Sequence, residues 1–160
     1  MADDKRTERA KALFSKLCGF FDENSWRYEC DDEALRLNCK LHGDDIPMDI
    51  DVIIDADREL VILLSNLPFT MPEDRRLDGA IAVSVTNNAL VDGCFDYDIT
   101  DGHLFFRMTC SYIGSELGRE VLEYMLACAC MTIDEYNDKL LMLAKGVTPI
   151  STYIAGMLTE

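Results

Sequence analysis

Three aspartates in the segment DYDITDG have the spacing that most resembles a chemical site. Asp96, Asp98 and Asp101 are placed much as calcium ligands are in a binding loop. An EF-hand loop, however, needs glycine at its sixth position and a bidentate acid at its twelfth. Counted from Asp96, those positions hold Asp101 and Arg107. We therefore interpret the three aspartates as the solvated face of a β-hairpin and predict no metal site.

A second acidic group comprises Asp49, Asp51, Asp55 and Asp57. It could form a cation or basic-peptide site on the outer face of a sheet. Alternation with apolar residues favours an acidic solvent face that also discourages edge-to-edge association. If the aspartates do form a cation site, the protein could be a small-molecule or metal-dependent enzyme. That hypothesis requires carboxylates that converge in a concave pocket.

Histidine and cysteine do not form a recognisable nucleophilic pair. His42 and His103 each lie beside glycine in a predicted turn. A pair with Cys94 or Cys110 would need a third orienting group and an oxyanion donor, for which the sequence has no signature. The seven cysteines include no CxxC motif, so we interpret them as reduced thiols and predict no catalytic residue, metal or cofactor.

Arg107, between Phe106 and Met108, has two interpretations. It is either the outward arginine of a strand, held by Asp98 or Asp96 across the hairpin, or an anchor for the carboxylate of a partner. The cross-strand role is the favoured alternative.

Composition narrows the function classes. The 160 residues are 49% hydrophobic and 28% charged, with four prolines, which predicts one folded domain over 1–160. The formal net charge of −15 excludes nucleic acid and anionic membranes as partners. The charged amino terminus lacks the apolar core of a secretory signal, and no apolar run approaches a membrane span. We expect a cytoplasmic protein.

Hydrophobic periodicity predicts the elements that carry these residues. The predicted order is α-β-β-β-β-α-β-β-α, an α+β arrangement of an antiparallel sheet packed against helices. Leu41 is expected opposite Met48, and Leu60–Leu67 is too apolar to alternate, which predicts a strand covered on both faces. The segments are a helix at Lys5–Phe21, strands at Trp26–Cys30, Leu35–Leu41, Met48–Ile54 and Leu60–Leu67, a helix from Glu73 to Val91, a hairpin from Phe95 to Cys110 that turns at Asp101-Gly102, a helix from Glu116 to Lys145 capped by Ser115, and a short docking helix in the tail.

Two helices carry more apolar surface than one chain needs. The second presents a stripe of small and medium residues that either the sheet or a second copy could approach closely. The last long helix is apolar over more than half its circumference, which indicates deep burial or a shared interface. From these helices and Arg107 we predict protein-binding residues: Leu77, Ile81, Val85, Arg107, Met125 and Cys128.

An ordered set of motifs over roughly residues 80–146 resembles the YbjN-like family of bacterial proteins. The matching positions are Asn88, Gly93-Cys94-Phe95, Asp98, Asp101-Gly102, Phe106-Arg107 and Leu117. The resemblance implies a fold similar to class I type III secretion chaperones, commonly a homodimer, with no established enzymatic activity. Together with the surplus apolar surface it predicts a non-enzymatic, homodimeric module that binds another protein or peptide in a chaperone-like or regulatory role.

Overall fold

The computed structural model describes residues 2–44 and 46–159, and its elements follow the predicted order with the expected tail helix added. This is the predicted α+β fold. The elements are α1 (Ala2–Glu23), β1 (Tyr28–Asp31), β2 (Arg36–His42), β3 (Pro47–Asp55), β4 (Leu60–Thr70), a 3-10 turn (Glu73–Arg75), α2 (Arg76–Ala89), β5 (Cys94–Asp98), β6 (His103–Ser111), α3 (Arg119–Ala144) and α4 (Ile150–Met157).

The six strands form one antiparallel sheet in the order β1-β2-β3-β4-β6-β5. Leu41 pairs with Met48 and Lys40 with Asp49, which confirms the predicted register. A slip of one residue would turn every inward side chain of β2 to solvent, so the apolar alternation is sufficient to set this register.

The core lies between one face of the sheet and the four helices. Inward residues of neighbouring strands, such as Leu37, Ile50, Leu63 and Phe106, are almost fully buried. They form one cluster with the buried residues of α1, α2, α3 and α4. Within the described residues, no helix is both long and apolar enough to cross a bilayer.

Several boundaries differ from the predicted ones, among them the starts of three elements. The first strand begins at Tyr28 rather than Trp26. The second helix begins as a 3-10 turn before α2 starts at Arg76. The third helix begins at Arg119, with Gly118 in place of Ser115 as its N-cap residue and no side-chain capping bond. Pairing and packing decide these ends, which local propensity places only to within a few residues.

A larger difference concerns β4. The sequence predicts a strand covered on both faces, but only one of its faces meets helices. Val61 and Leu63 point into the core and are buried, whereas Ile62 and Leu64 point to the opposite face of the sheet and are half-buried. That outer face carries no helix in the described part of the chain.

Candidate binding surfaces

The outward face of α2 is the first candidate, and we call Leu77, Ile81 and Val85 the α2 face. Leu77 is 72% exposed and Ile81 44%, while Val85 is half-buried. The side of α2 that packs against the protein consists of Gly79, Ala82, Val83 and Thr86. Of the two predicted neighbours for this stripe, the sheet is therefore excluded. Leu77 and Ile81 lie open in the single chain, whereas Val85 packs partly against the core.

Close packing on the other side of α2 explains this orientation. Gly79 sits where a Cβ atom would collide with the side chains of Met71 and Tyr97. About two turns further on, the buried Thr86 hydroxyl lies 2.5 Å from the Tyr153 hydroxyl of α4. Gly79 and Thr86 leave room for Tyr97 and Tyr153 on this side, and the largest apolar residues of α2, Leu77 and Ile81, point outward.

Two predicted binding residues lie on α3, and neither is prominent at the surface. Met125 is 2% exposed and belongs to the core. The prediction that Met125 contacts a partner is corrected, because its side chain is buried in the core. Cys128 is half-buried. The exposed large apolar residues of α3 are Tyr124, Met131 and Met142, of which Met131 is 72% exposed.

Arg107 adopts the cross-strand role. Its Nε donates to Asp96 Oδ2 at 2.5 Å and its Nη2 donates to Asp96 Oδ1 at 3.2 Å. Hydrogen bonding to Asp96 raises the pKa of Arg107. Asp96 thus holds the Nε and Nη2 edge of the guanidinium, and contact of Arg107 with a partner's carboxylate stays a prediction.

A second candidate surface was not predicted, and we call it the Trp26 groove. It is a cleft of about 470 Å³ between the end of α1, the end of β2 and the middle of α3. Trp26 is 39% exposed at its mouth, and Trp26 packs edge-on against Phe20 and Phe21. The lining comprises Phe20, Asn24, Trp26, Leu41, His42, Glu123, Leu126, Ala127 and Cys130.

An open strand edge borders the Trp26 groove. β1 pairs with β2 only from Tyr28 opposite Cys39 to Asp31 opposite Arg36. Within the described residues, Lys40–His42 of β2 therefore has no strand beside it on that edge. Unpaired backbone donors and acceptors beside an apolar cleft are what an extended polypeptide needs, since it can add a strand and place alternate side chains in pockets.

In the described part of the chain, His103 and the buried thiols do not form a Cys-His pair. His103 Nε2 lies 2.9 Å from Asn66 Oδ1 rather than beside a thiol. Burial raises the pKa of Cys94, and it raises the pKa of Cys39 to about 12 and that of Cys130 to about 11. These thiols are protonated and weakly nucleophilic at neutral pH.

The aspartates of the two acidic groups are spread over turns and the outer sheet face. Asp98 and Asp101 accept hydrogen bonds from Thr100 and from the His103 backbone N–H, as turn residues do. Asp51 accepts both hydrogen bonds of Arg36 at 2.8 Å. Among the described residues, no group of three His, Cys, Asp or Glu side chains has the geometry to hold a metal ion.

Comparison with known proteins shows the fold. No family model and no curated protein matches the sequence. Among solved structures, YbjN from E. coli, a suggested transcription regulator, is similar with a TM-score of 0.57 and 13% identity over 79% of this chain and 92% of that one. The HopA1-SchA chaperone-effector complex gives a TM-score of 0.45 and 20% identity over 84% of this chain and 92% of that one. This chain has a YbjN-like fold.

Proposed function

We propose that this chain is a non-enzymatic, cytoplasmic protein-binding module that forms a homodimer through the α2 face and takes up another polypeptide in the Trp26 groove. The observation that carries the proposal is the open α2 face, where Leu77 and Ile81 are exposed although smaller residues of the same helix are buried. Large apolar side chains grouped on one exposed helix face are typical of protein interfaces.

Self-association suits the α2 face better than other occupants do. An interface about a two-fold axis brings the same patch of two copies together. Ser84 lies on the outward side of α2 between Ile81 and Val85, and Ala80 lies beside Leu77. Small residues at these positions let two such helices approach closely, while the three larger residues interdigitate.

The Trp26 groove suits an extended segment of a different protein. Its floor is aromatic and aliphatic, and its open strand edge supplies backbone hydrogen bonds that do not depend on partner sequence. A groove that accepts partners of different sequence fits a chaperone-like or regulatory role. A regulatory role is also the one suggested for E. coli YbjN.

The dimer is tested by light scattering at micromolar concentration. We expect the wild type to have the mass of two chains and Leu77→Glu/Ile81→Glu to have the mass of one, because two carboxylates would be buried against their symmetry mates. Ile113→Glu is the matched control, since Ile113 is equally exposed but lies in the loop after β6. A monomeric wild type, or loss of the dimer in the control as well, would contradict the proposal.

The groove is tested through its own fluorophore, because Trp26 is the only tryptophan of the chain. Proteins captured by the tagged chain from its native cell, titrated back onto purified protein, should shift the Trp26 emission to the blue as the ring loses water. Capture should be lost with Ala127→Glu, at an exposed position that lines the groove. It should be kept with Met131→Glu, which adds the same charge to the exposed side of α3. Equal capture by both variants would count against the groove.

A further inference from the structure

The central strands of the sheet carry an apolar strip on the face that has no helix. Its members are Ile62 and Leu64 of β4, with Leu60 at the end of the same strand. Ile53 of β3 pairs directly with Ile62, and Phe105 of β6 lies diagonally beside Leu64. All five side chains are half-buried. We call them the outer strip.

A wet sheet face normally places polar residues at these positions. In antiparallel sheets with one solvated face, outward residues are polar and only the inward ones are apolar. β3 obeys this rule near Asp49 and Asp51, but β4 is apolar on both sides from Leu60 to Leu64. Such a pattern is typical of a strand that is packed on both faces. In the described chain, only the inner face of β4 is packed, by the helices.

Charges around the outer strip indicate the chemistry of the missing cover. Outward positions of the strands hold more acids than bases. Arg36, opposite Ile53, and Arg107, opposite Leu64, lie directly beside the strip, but each is paired within the sheet, Arg36 with Asp51 and Arg107 with Asp96. The remaining charges further out are mostly acidic. The acids are Glu29, Asp31, Asp49, Asp51, Asp55, Asp96 and Asp98, and the bases are Arg36, Lys40 and Arg107.

This charge pattern excludes several occupants. A second copy meeting the strip face to face would place acidic rims against each other, and like charges across an interface cost several kcal/mol. Nucleic acid and anionic lipid are repelled for the same reason. A protein segment with an apolar face and basic flanks matches both the strip and its rim.

Size favours a helix as that segment. The strip extends across β3, β4 and β6, two strand spacings or about 10 Å. An α-helix with its side chains has a diameter of about 10 to 12 Å. One amphipathic helix would therefore cover the strip and bring its basic flanks over Asp49 on one side and Asp98 on the other.

We propose that the outer face of the sheet is a docking site for a basic amphipathic helix of another protein. The site is separate from the α2 face and the Trp26 groove, so it does not depend on either. Affinity comes from burial of the outer strip, and orientation comes from the acidic rim.

The test uses a Leu/Lys peptide of about 18 residues, long enough for five helical turns, with Leu on one face and Lys on the other. A scrambled peptide of the same composition has no apolar face. We expect the amphipathic peptide to bind more tightly, and Ile62→Glu to weaken its binding about tenfold although the variant adds an attractive charge. Ile113→Glu adds the same charge away from the sheet face and should leave binding unchanged.

Amide NMR on the unaltered protein provides a second measurement that does not depend on how Ile62→Glu folds. Peptide-induced shifts should cluster on β3, β4 and β6. The proposal would be overturned by shifts centred on α2 or on Trp26, or by the absence of binding. It would also be overturned if both peptides bound equally or if the two glutamate variants had equal effects. Loss of the wild-type dimer in Ile62→Glu would overturn it as well, because it would assign the strip to self-association.

The acidic rim is tested by charge removal. Asp49→Asn/Asp98→Asn should weaken binding several-fold at low salt and much less at high salt, since exposed charges are screened. Glu135→Gln/Asp138→Asn removes the same charge from the helical side of the molecule and is the control. Equal weakening by both pairs would show attraction to net charge alone and overturn the assignment to this face.

Discussion

Arg9 connects three distant segments through one guanidinium. Its Nη1 donates to Glu59 Oε1 at 2.6 Å, and its Nη2 donates to the carbonyl oxygens of Tyr112 and Ser115 at 2.6 and 3.0 Å. Glu59 is buried in the turn between β3 and β4, where its φ of 53° is left-handed. These bonds hold α1 against the sheet and fix the loop that leads to α3.

Loss of Arg9 should therefore destabilise the fold. Arg9→Met would leave the buried Glu59 carboxylate with the more weakly placed Arg6, whose Nε lies 3.8 Å from Glu59 Oε2. We expect the free energy of unfolding in urea to fall by about 2 kcal/mol. Arg58→Met is the control, because the exposed Arg58 lies 3.8 Å from Asp55 and such surface pairs contribute less than about 1 kcal/mol. Equal losses would contradict the role given to Arg9.

Asp51 shows how a carboxylate stays charged beside the apolar outer strip, where it lies opposite Leu64. Burial alone would raise the pKa of Asp51, but hydrogen bonds from Arg36 and Asn38 outweigh it and lower the pKa below its ordinary value of 3.8. Because the pKa of Asp51 is lower in the folded than in the unfolded protein, its carboxylate stabilises the fold at pH values above the pKa of the unfolded state. This stabilisation is lost as the pH falls through the pKa of the folded state.

The prediction concerns the titration of Asp51 itself. In Arg36→Leu the burial effect remains while the guanidinium is gone, so the pKa of Asp51 should move upward. Carboxyl-carbon NMR during an acid titration measures this directly. Stability of the wild type should fall only below about pH 4 on account of this pair, and a wild-type Asp51 that titrates above 3.8 would contradict the account.

At the scale of elements, one asparagine attaches β5 to the end of α2. Asn87 Oδ1 accepts from the Phe95 backbone N–H at 2.8 Å, and Asn87 Nδ2 donates to the Phe95 carbonyl at 2.8 Å. The side-chain amide thus substitutes for a neighbouring strand on the edge of the sheet. The resemblance to the YbjN-like family matched Asn88, which is exposed, so the structure assigns this contact to the preceding residue.

Replacement of each asparagine separates the two positions. Asn87→Leu should lower the free energy of unfolding by about 1 to 3 kcal/mol, because two backbone groups of Phe95 lose their partners. Asn88→Leu should change it by less than about 0.5 kcal/mol, as is usual for exposed positions. The measurement is the denaturant concentration at the unfolding midpoint, compared between variants whose unfolding free energies depend equally on denaturant. A larger effect at Asn88 would refute the assignment.

The sheet register could be predicted from the sequence, but the orientation of α2 could not. The register of β2 against β3 was predictable, because alternation leaves one pairing that buries Leu41 and Met48 together. The orientation of α2 was not, since its outward face is as apolar as its inward one. What decides it is contact with Tyr97 and Tyr153, which are distant in sequence from the residues they meet.

The Trp26 groove escaped sequence reasoning for a similar reason. Its walls come from α1, β2 and α3, and no local pattern shows that Phe20, Leu41 and Leu126 meet. Exposure of Trp26 gave no signal either, because its alternation with Tyr28 predicted a paired strand. The strand starts two residues later, at Tyr28, and this leaves both the ring and the edge of β2 open.

At the scale of the whole molecule, net charge opposes the association that the apolar surfaces favour. Two copies of a chain with a formal charge of −15 repel each other at low ionic strength. Salt shortens the Debye length to about 8 Å at 0.15 M and about 3 Å at 1 M. A dimer held by Leu77 and Ile81 should therefore tighten as salt is added, whereas a dimer held by ion pairs would loosen.

Sedimentation equilibrium of the wild type across a salt series, at micromolar protein, tests the central claim most directly. The account predicts the mass of two chains, with a dissociation constant that falls as sodium chloride rises and a single-chain mass for Leu77→Glu/Ile81→Glu under every condition. A wild type with the mass of one chain at every salt concentration would contradict it.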